Sequence, residues 1–369
     1  MTPEALDQFL AQQQSYTQNY LELCSLLDTQ PSAESWYKLG ILLLERNLLL
    51  AAARRFQQAL TLDPSYLPIQ EALQTILPKA QALQQMISIP EREPCVSVIM
   101  LTYNQLSYTQ AALSSLLAKT PELQELILID NASSDGTAQW LETFQAQHGE
   151  RVRLVLNPTN LGFAAGCNQG LAIAQADYLL LLNNDVLLTH GWLARLLQAL
   201  EQAPADMVGP VASNISGLQA ALDIPAEMLA EADILEDYAQ QRAIFFQGQG
   251  QAIHRLAGTC LLLKRSVLDK IGGLDPCFGF GNFEDDDFCY RALLAGFKLW
   301  IAKDAFIHHF GSKSFAVLPL DVDQLKQRNY QLFCDKWGLT APWSAASLRE
   351  PIPEIMQQPW TPERFIPLD

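Results

Sequence analysis

The chain is short of basic residues and histidines, and its cysteines are unpaired. Its 369 residues hold 24 Lys and Arg against 40 Asp and Glu, a net charge of −16. That deficit argues against nucleic acid or anionic lipid as a main partner, because both repel an acidic surface. Seven cysteines run from Cys24 to Cys334 with no Cys-x-x-Cys pair. An odd, dispersed set suits buried thiols in a reducing cytoplasm, and it offers neither a disulfide framework nor a paired spacing for zinc. No apolar run approaches the roughly 20 residues that cross a bilayer. The longest runs are broken at Glu45-Arg46 and at Asn183-Asn184-Asp185. The start, Met1-Thr-Pro-Glu-Ala, has no basic or apolar leader region. The expectation is a cytoplasmic protein without a transmembrane segment, with the inner face of the membrane as a peripheral station. Apolar residues make up 49%, enough to core one large or two ordinary domains.

Residues 1–89 are rich in Gln, Leu and Ala and lack β-branched runs, which predicts helices. Within them Trp36-x-x-Leu39-Gly40-x-x-Leu43, then Ala52-x-x-x-Phe56-x-x-Ala59 and Pro64, follow the tetratricopeptide pattern, with Leu43 where Tyr is usual. Gly40 and Ala52 would sit where two helices cross, Trp36 and Phe56 would fill the gap, and Pro64 would end the second helix. One such unit cannot bury its own faces. Helices near 3–28 and 66–86, or the next domain, must cover it. Two prolines and a charge cluster at 87–94 read as a linker.

From residue 90 the pattern changes. Short apolar runs at 96–101, 126–129, 152–156 and 178–182 alternate with helical stretches at 107–118, 137–147 and 164–174. Buried strands alternating with helices imply a doubly wound, mostly parallel sheet. Further strands are expected at 207–211, 255–264 and 299–307, and helices at 225–241, 284–295 and 321–337. The domains are then 1–89, 90–340 and a proline-rich tail at 341–369.

Parallel sheets bind ligands at the carboxyl ends of their strands. Polar residues stand at those points: Thr102-Tyr103-Asn104, Asp130 leading to Asp135-Gly-Thr137, and Asn183-Asn184-Asp185. Between the last two lies Asn160-x-Gly162-x-x-x-Gly166-x-Asn168, where small residues open a helix whose first amides attract diphosphate. No Gly-x-Gly-x-x-Gly follows the first strand, which speaks against a dinucleotide oxidoreductase. Gly281-Asn282-Phe283 leads into Glu284-Asp285-Asp286-Asp287, and Phe306-Ile307-His308-His309-Phe310 comes later. Acids before a helix are either a base or a helix cap. The helix dipole would lower their pKa, and their mutual crowding would raise it.

The order of these five motifs resembles the family 2 inverting glycosyltransferases with a GT-A-type fold, over about residues 94–340. The likeness is closest to bacterial members with a tetratricopeptide segment ahead of the transferase domain. The resemblance implies a UDP- or dTDP-linked sugar donor held by Thr102, Tyr103, Asn104, Asp130, Asn160, Gly162, Asn168, Asn183 and Asn184. It implies a divalent metal, Mn or Mg, on Asp185 and on His309, a position aligned by Phe310-Gly311-Ser312-Lys313-Ser314, with His308 turned away. Asn183 replaces an acid of the family's D-x-D-type motif, so that motif brings one charge. Asp285 is implied as the base, with Glu284 beside it and Asp287 a further candidate. The activity implied is inverting hexosyl or deoxyhexosyl transfer to a hydroxyl of a glycan, lipid-linked or protein acceptor, within bacterial glycan synthesis. The helical segment would then meet a protein partner or brace the catalytic domain. Two rivals are a non-catalytic tetratricopeptide adaptor with a degenerate transferase domain and a sugar-phosphate nucleotidyltransferase. The second needs a Gly-rich, cationic loop after strand one, and Thr102-Tyr-Asn-Gln-Leu lacks it.

Overall fold

A computed structural model describes residues 3–86, 96–121, 123–311, 321–339 and 351–368. The linker at 87–94, the Ser312-Lys313-Ser314 end of the histidine motif and the first part of the tail, 341–350, lie outside the described residues. The elements run α1 Pro3–Thr29, α2 Ala33–Glu45, α3 Leu49–Leu62, α4 Leu67–Met86, β1 Val96–Thr102, α5 Leu106–Lys119, β2 Glu125–Asp130, α6 Thr137–His148, β3 Val152–Leu156, α7 Phe163–Ile173 and β4 Tyr178–Leu182. They continue as β5 Val186–Leu188, α8 Trp192–Gln202, β6 Met207–Ala212, α9 Ala232–Phe245, β7 Gly250–Ile253, β8 Cys260–Lys264, α10 Arg265–Ile271, α11 Glu284–Leu294, β9 Leu299–His309, α12 Val322–Trp337 and α13 Pro353–Met356. No helix among the described residues is long and apolar enough to cross a membrane. The chain divides into two compact units, 1–88 with 221–247, and 89–220 with 248–369.

In the first unit α2 and α3 form a hairpin. Gly40 is needed at the crossing: a Cβ there would lie 2.3 Å from the Phe56 ring. Ala52, Phe56 and Ala59 are fully buried. Trp36 departs from expectation. It is half-buried, with the Arg55 guanidinium 6.0 Å from its ring, and Tyr37 is the residue that meets Phe56, at 5.6 Å between centroids. The remaining faces are covered by α1, α4 and α9. The last of these starts at Ala232, later than its acidic composition suggests, because Pro225 and the turn at Met228–Ala230 precede it. Arg55, itself buried, forks onto Asp233 of α9 at 2.7 and 3.2 Å. Asp237 of α9 does what α3 cannot do for itself. Leu48 at the N-cap of α3 has no side-chain acceptor, and Asp237 takes the Leu50 and Ala51 amides at 2.9 and 3.0 Å. Burial raises the pKa of Asp237 more than these hydrogen bonds lower it. Asp237→Ala should therefore lose about 1–2 kcal/mol in denaturant unfolding, as a lost cap does. Asp237→Asn should lose clearly less, since it keeps an acceptor and removes a costly buried charge. Equal losses would show that the charge itself is required.

The second unit is built on one sheet. Among the described residues nine strands join in the order β3-β2-β1-β4-β8-β6-β9-β5, with β7 also on β9. The first four are mutually parallel, as their near-continuous apolar runs require when both faces are covered. Helix α7 lies close on this block. A Cβ on Gly166 would come within 2.5 Å of Leu101, and one on Gly170 within 2.3 Å of Ile99. The other half is mixed. β8 runs antiparallel to β4 and β6, β6 and β9 are parallel, and β5 and β7 pair antiparallel with β9. The strand expected from residue 255 begins only at Cys260, because Arg255–Thr259 turn out toward the polar end of the sheet. The tail is not merely draped on this unit. Ile355 is fully buried with Phe278, Tyr290, Phe333 and Trp337, and Gly273 N–H donates to Ile366 O at 2.8 Å.

Strand direction brings distant loops to one side of the sheet. β1, β2 and β4 end there, with Thr102 beside Asp130. Since β8 is antiparallel, its first residues arrive at that same side, Cys260 opposite Leu182. β5 and β9 pair so that Val186 faces His309.

Candidate active site

The two loops after β1 and β2 are locked to each other. Thr102 Oγ1 donates to Asp130 Oδ1 at 3.0 Å, and the Ser133 amide and hydroxyl donate to the same carboxylate at 2.8 and 2.5 Å. Asp130 is thereby 1% exposed and closes its own turn. Asn104, left-handed at φ 53°, accepts the Ser134 amide at 2.7 Å, and its own amide donates to Ser133 Oγ at 2.7 Å.

Beyond these loops lies a shelf of amides. Asn131 Nδ2 donates to Asn160 Oδ1 at 3.1 Å and to Gly162 O at 2.9 Å, while its Oδ1 accepts from Asn157 Nδ2 at 2.9 Å. Gly162, at φ 88°, must be glycine on two counts: its backbone is left-handed, and a Cβ would sit 2.4 Å from Gly279 O. Phe163 N–H donates to that carbonyl at 2.9 Å. Asn168 faces the other way. Its amide exchanges hydrogen bonds with the Leu274 backbone at 2.8 and 2.9 Å, fixing the Gly272-Gly273 loop.

After β4, Asn183 N–H donates to Thr259 O at 3.0 Å, and Asn184 Nδ2 donates to Thr109 Oγ1 at 2.9 Å. Asp185 and His309 meet, both buried, with Asp185 Oδ1 3.2 Å from His309 Nε2. His309 Nδ1 lies 3.3 Å from Asn214 O, a carbonyl that can only accept, so the proton belongs on Nδ1 and the lone pair on Nε2. Nε2 makes no hydrogen bond among the described residues. A carboxylate oxygen and an imidazole lone pair held face to face fit a divalent cation. The described residues bring no third His, Cys, Asp or Glu to such a point. The protein would supply two ligands there, leaving the rest of the shell to ligand oxygens. His308, on the opposite side of β9, has Nδ1 2.8 Å from Ser213 Oγ.

The acid turn separates into four different carboxyls. Asp287 is fully buried, with Arg291 Nε at 2.8 Å and Lys336 Nζ at 2.7 Å. Arg291 spends its other nitrogens on Ile271 O and Gly273 O at 2.8 and 2.6 Å. Asp287 is thus a structural counter-ion, which removes it as a candidate base. Asp286 is bound by Arg255, and burial still pushes its pKa up to about 6. Glu284 is pushed well above the usual carboxylate range by burial and by Asp285 beside it. Asp285 alone is half-exposed, its Oδ2 accepting the Gly258 amide at 2.9 Å.

These parts surround one cleft of about 790 Å³. Thr102, Tyr103, Asn160, Gly162, Asn183, Asn184, Asp185, Glu284, Asp285 and His309 line it. Asn104, Asp130 and Asn168, expected on the same ligand, are not in its lining. Asn131, Asn214, Arg255 and Tyr330 line it although no motif pointed to them. Asn131 stood in the run after Asp130, and the other three carry no local signature.

A parallel block that switches to antiparallel strands beside an acid- and amide-lined cleft defines a GT-A-type domain. Residues 97–272 match Glycosyl transferase family 2, and the chain carries a domain of that family. The match ends before the acid turn and before His309, so those residues join the site by geometry. An uncharacterized protein of Mycobacterium tuberculosis is 31% identical over 160 residues, 42% of this chain and 56% of that one. An uncharacterized glycosyltransferase of Haemophilus influenzae is 31% identical over 112 residues, 30% of this chain and 34% of that one. The chain spans about half or less of the length of these relatives. The crystal structure of GalNAc-T7 with UDP, GalNAc and Mn2+ shares the fold, with a TM-score of 0.52 at 16% identity, over 70% of this chain and 54% of that one.

The division of the acids is testable by stability. Asp287→Asn leaves the buried Arg291 guanidinium without its counter-ion, while Lys336 keeps Asp275, and should cost about 3–5 kcal/mol in denaturant unfolding. Asp285→Asn should cost less than about 1 kcal/mol, because Asn still accepts the Gly258 amide. The reverse order would contradict the assignment.

Proposed function

We propose that the protein is a metal-dependent inverting glycosyltransferase, moving a sugar from a nucleotide diphosphate sugar to a hydroxyl in one displacement. The observation that carries this is the sharing of one cleft by the Asp185–His309 pair and Asp285. A cation pair of ligands at one wall and an uncommitted carboxylate at another are the two ends that a displacement needs. The amide shelf from Asn131 to Gly162 and the turn after Thr102 suit a nucleotide. The neighbour crystallised with UDP, GalNAc and Mn2+ makes a UDP-linked donor the first to test, with a dTDP-linked donor next. A divalent cation, Mn or Mg, would rest on Asp185 and His309 and neutralise charge on a departing diphosphate.

Asp285 is the base. It is the acid of the turn that is neither ion-paired like Asp286 and Asp287 nor buried to the degree of Glu284. Held by the Gly258 amide, it can take a proton from an acceptor hydroxyl. The acceptor class stays with glycan, lipid-linked or protein hydroxyls, and bacterial glycan synthesis is the setting that the family resemblance suggests.

A panel of UDP-, dTDP- and GDP-sugars screened by thermal shift and by hydrolysis, with and without Mn2+, tests the reading. One donor should raise the melting temperature in a Mn2+-dependent way and be hydrolysed slowly. Asp285→Asn should keep that shift and lower turnover about 10²–10⁴-fold. No Mn2+-dependent donor in the panel, or full turnover by the Asn variant, would overturn it.

A further inference from the structure

The acid turn is reached through an unusual stretch of backbone. Gly279, Gly281, Asn282 and Phe283 all have positive φ, at 61°, 121°, 74° and 73°. Left-handed glycine is ordinary, but two successive non-glycine residues, one of them a bulky aromatic, are costly and persist only where the surroundings enforce them. Phe283 is also the N-cap of α11 and brings no side-chain cap. Asn282 does not stabilise its own conformation through its amide, whose nitrogen makes no hydrogen bond among the described residues. The enforcement must come from elsewhere.

It comes from α12. Asn329 is fully buried there, and its Nδ2 donates to Phe278 O at 2.6 Å, Gly281 O at 2.8 Å and, more weakly, Asn282 O at 3.3 Å. One amide thus satisfies carbonyls along the whole turn. The Phe283 ring lies on the same helix, 5.6 Å from Phe333 and 5.9 Å from Tyr330. The far side of the turn is pinned by the Phe163 amide on Gly279 O, at the start of α7. Glu284 and Asp285 come directly after.

We propose that Asn329 is a positioning residue: its amide holds residues 279–283 in their left-handed course, and so sets where Asp285 stands in the cleft. This rests on Asp285 being the base. Asn329 touches no reacting atom and acts through the turn.

The test compares Asn329→Ala, Asn329→Asp and Asn329→Ala combined with Asn282→Gly. Asp keeps the shape of Asn329 but turns an oxygen onto the carbonyls in place of the donor. Both single variants should lower kcat for hydrolysis of the nucleotide sugar found by the panel by about 10- to 100-fold, the scale of a small misplacement. UDP affinity with Mn2+, by calorimetry, should change less than about twofold. Glycine at 282 adopts positive φ freely and should restore part of kcat in the Ala background. A simple packing role would lower the melting temperature and leave kcat unchanged in the folded fraction, and that result overturns the proposal. Crystal structures decide it independently of turnover. In Asn329→Ala the positive φ angles at 282 and 283 should be lost, along with the Asp285–Gly258 hydrogen bond. An unchanged turn refutes the latch. If wild-type protein turns over no nucleotide sugar, the reading of the site fails instead, and the crystallographic comparison still settles the latch.

Discussion

Strand direction is the constraint on which the site depends. Three parallel strands must present their carboxyl ends on one side, and there the backbone has spare polar groups and the chain has room for loops. The reversal at β8 then brings an incoming strand to that side, so that Gly258 and Thr259 reach Asp285 and Asn183. The pairing of β5 with β9 does the same for Asp185 and His309, which lie more than a hundred residues apart in the chain. Neither meeting needs a long-range attraction between the side chains. The second comes from the register of the sheet, and in the first the sheet delivers Gly258 and Thr259 while Asp285 arrives at the start of α11.

The acid turn shows how burial sorts chemically identical groups. Four consecutive acids would repel one another in water. Asp287 escapes by burying itself against Arg291 and Lys336 and Asp286 by binding Arg255, while burial and the adjacent Asp285 push Glu284 well above the usual carboxylate range. Two of these charges are compensated by buried or half-buried cations, and the third carboxyl is disfavoured as an anion. Asp285 is left with two backbone amides, those of Gly258 and Asp286, and an open side. A carboxylate suited to proton transfer is here a product of what happens to its neighbours.

Much of the fold was legible because the first four strands are mostly apolar and are separated by helices of ordinary length. The short strands β5 and β7 were not, since three or four residues show no period. The start of β8 was misplaced because Leu256 and Ala257 continue its apolar pattern while the backbone has already turned away. Within the site, residues at strand ends could be read from position alone, and ten of the expected residues line the cleft. Asn168 could not: an asparagine in a small-residue helix looks the same whether it faces a ligand or clamps a loop. Asp130 shows the same ambiguity, its carboxylate closing the turn that its position predicts for a ligand. Asn329 gave no signal at all, because one polar residue in an amphipathic helix reads as surface. In the first unit, the capping of α3 by Asp237 joins residues nearly two hundred positions apart, beyond any local pattern.

The central claim is that one cleft holds a metal-bound diphosphate at one wall and a free carboxylate at the other. A crystal structure with UDP and Mn2+, phased to show anomalous scattering from manganese, tests it most directly. The account predicts one manganese peak within bonding distance of both Asp185 and His309, touching the diphosphate, with Asp285 left uncoordinated. Manganese on the acid turn, or UDP bound outside this cleft, would contradict it.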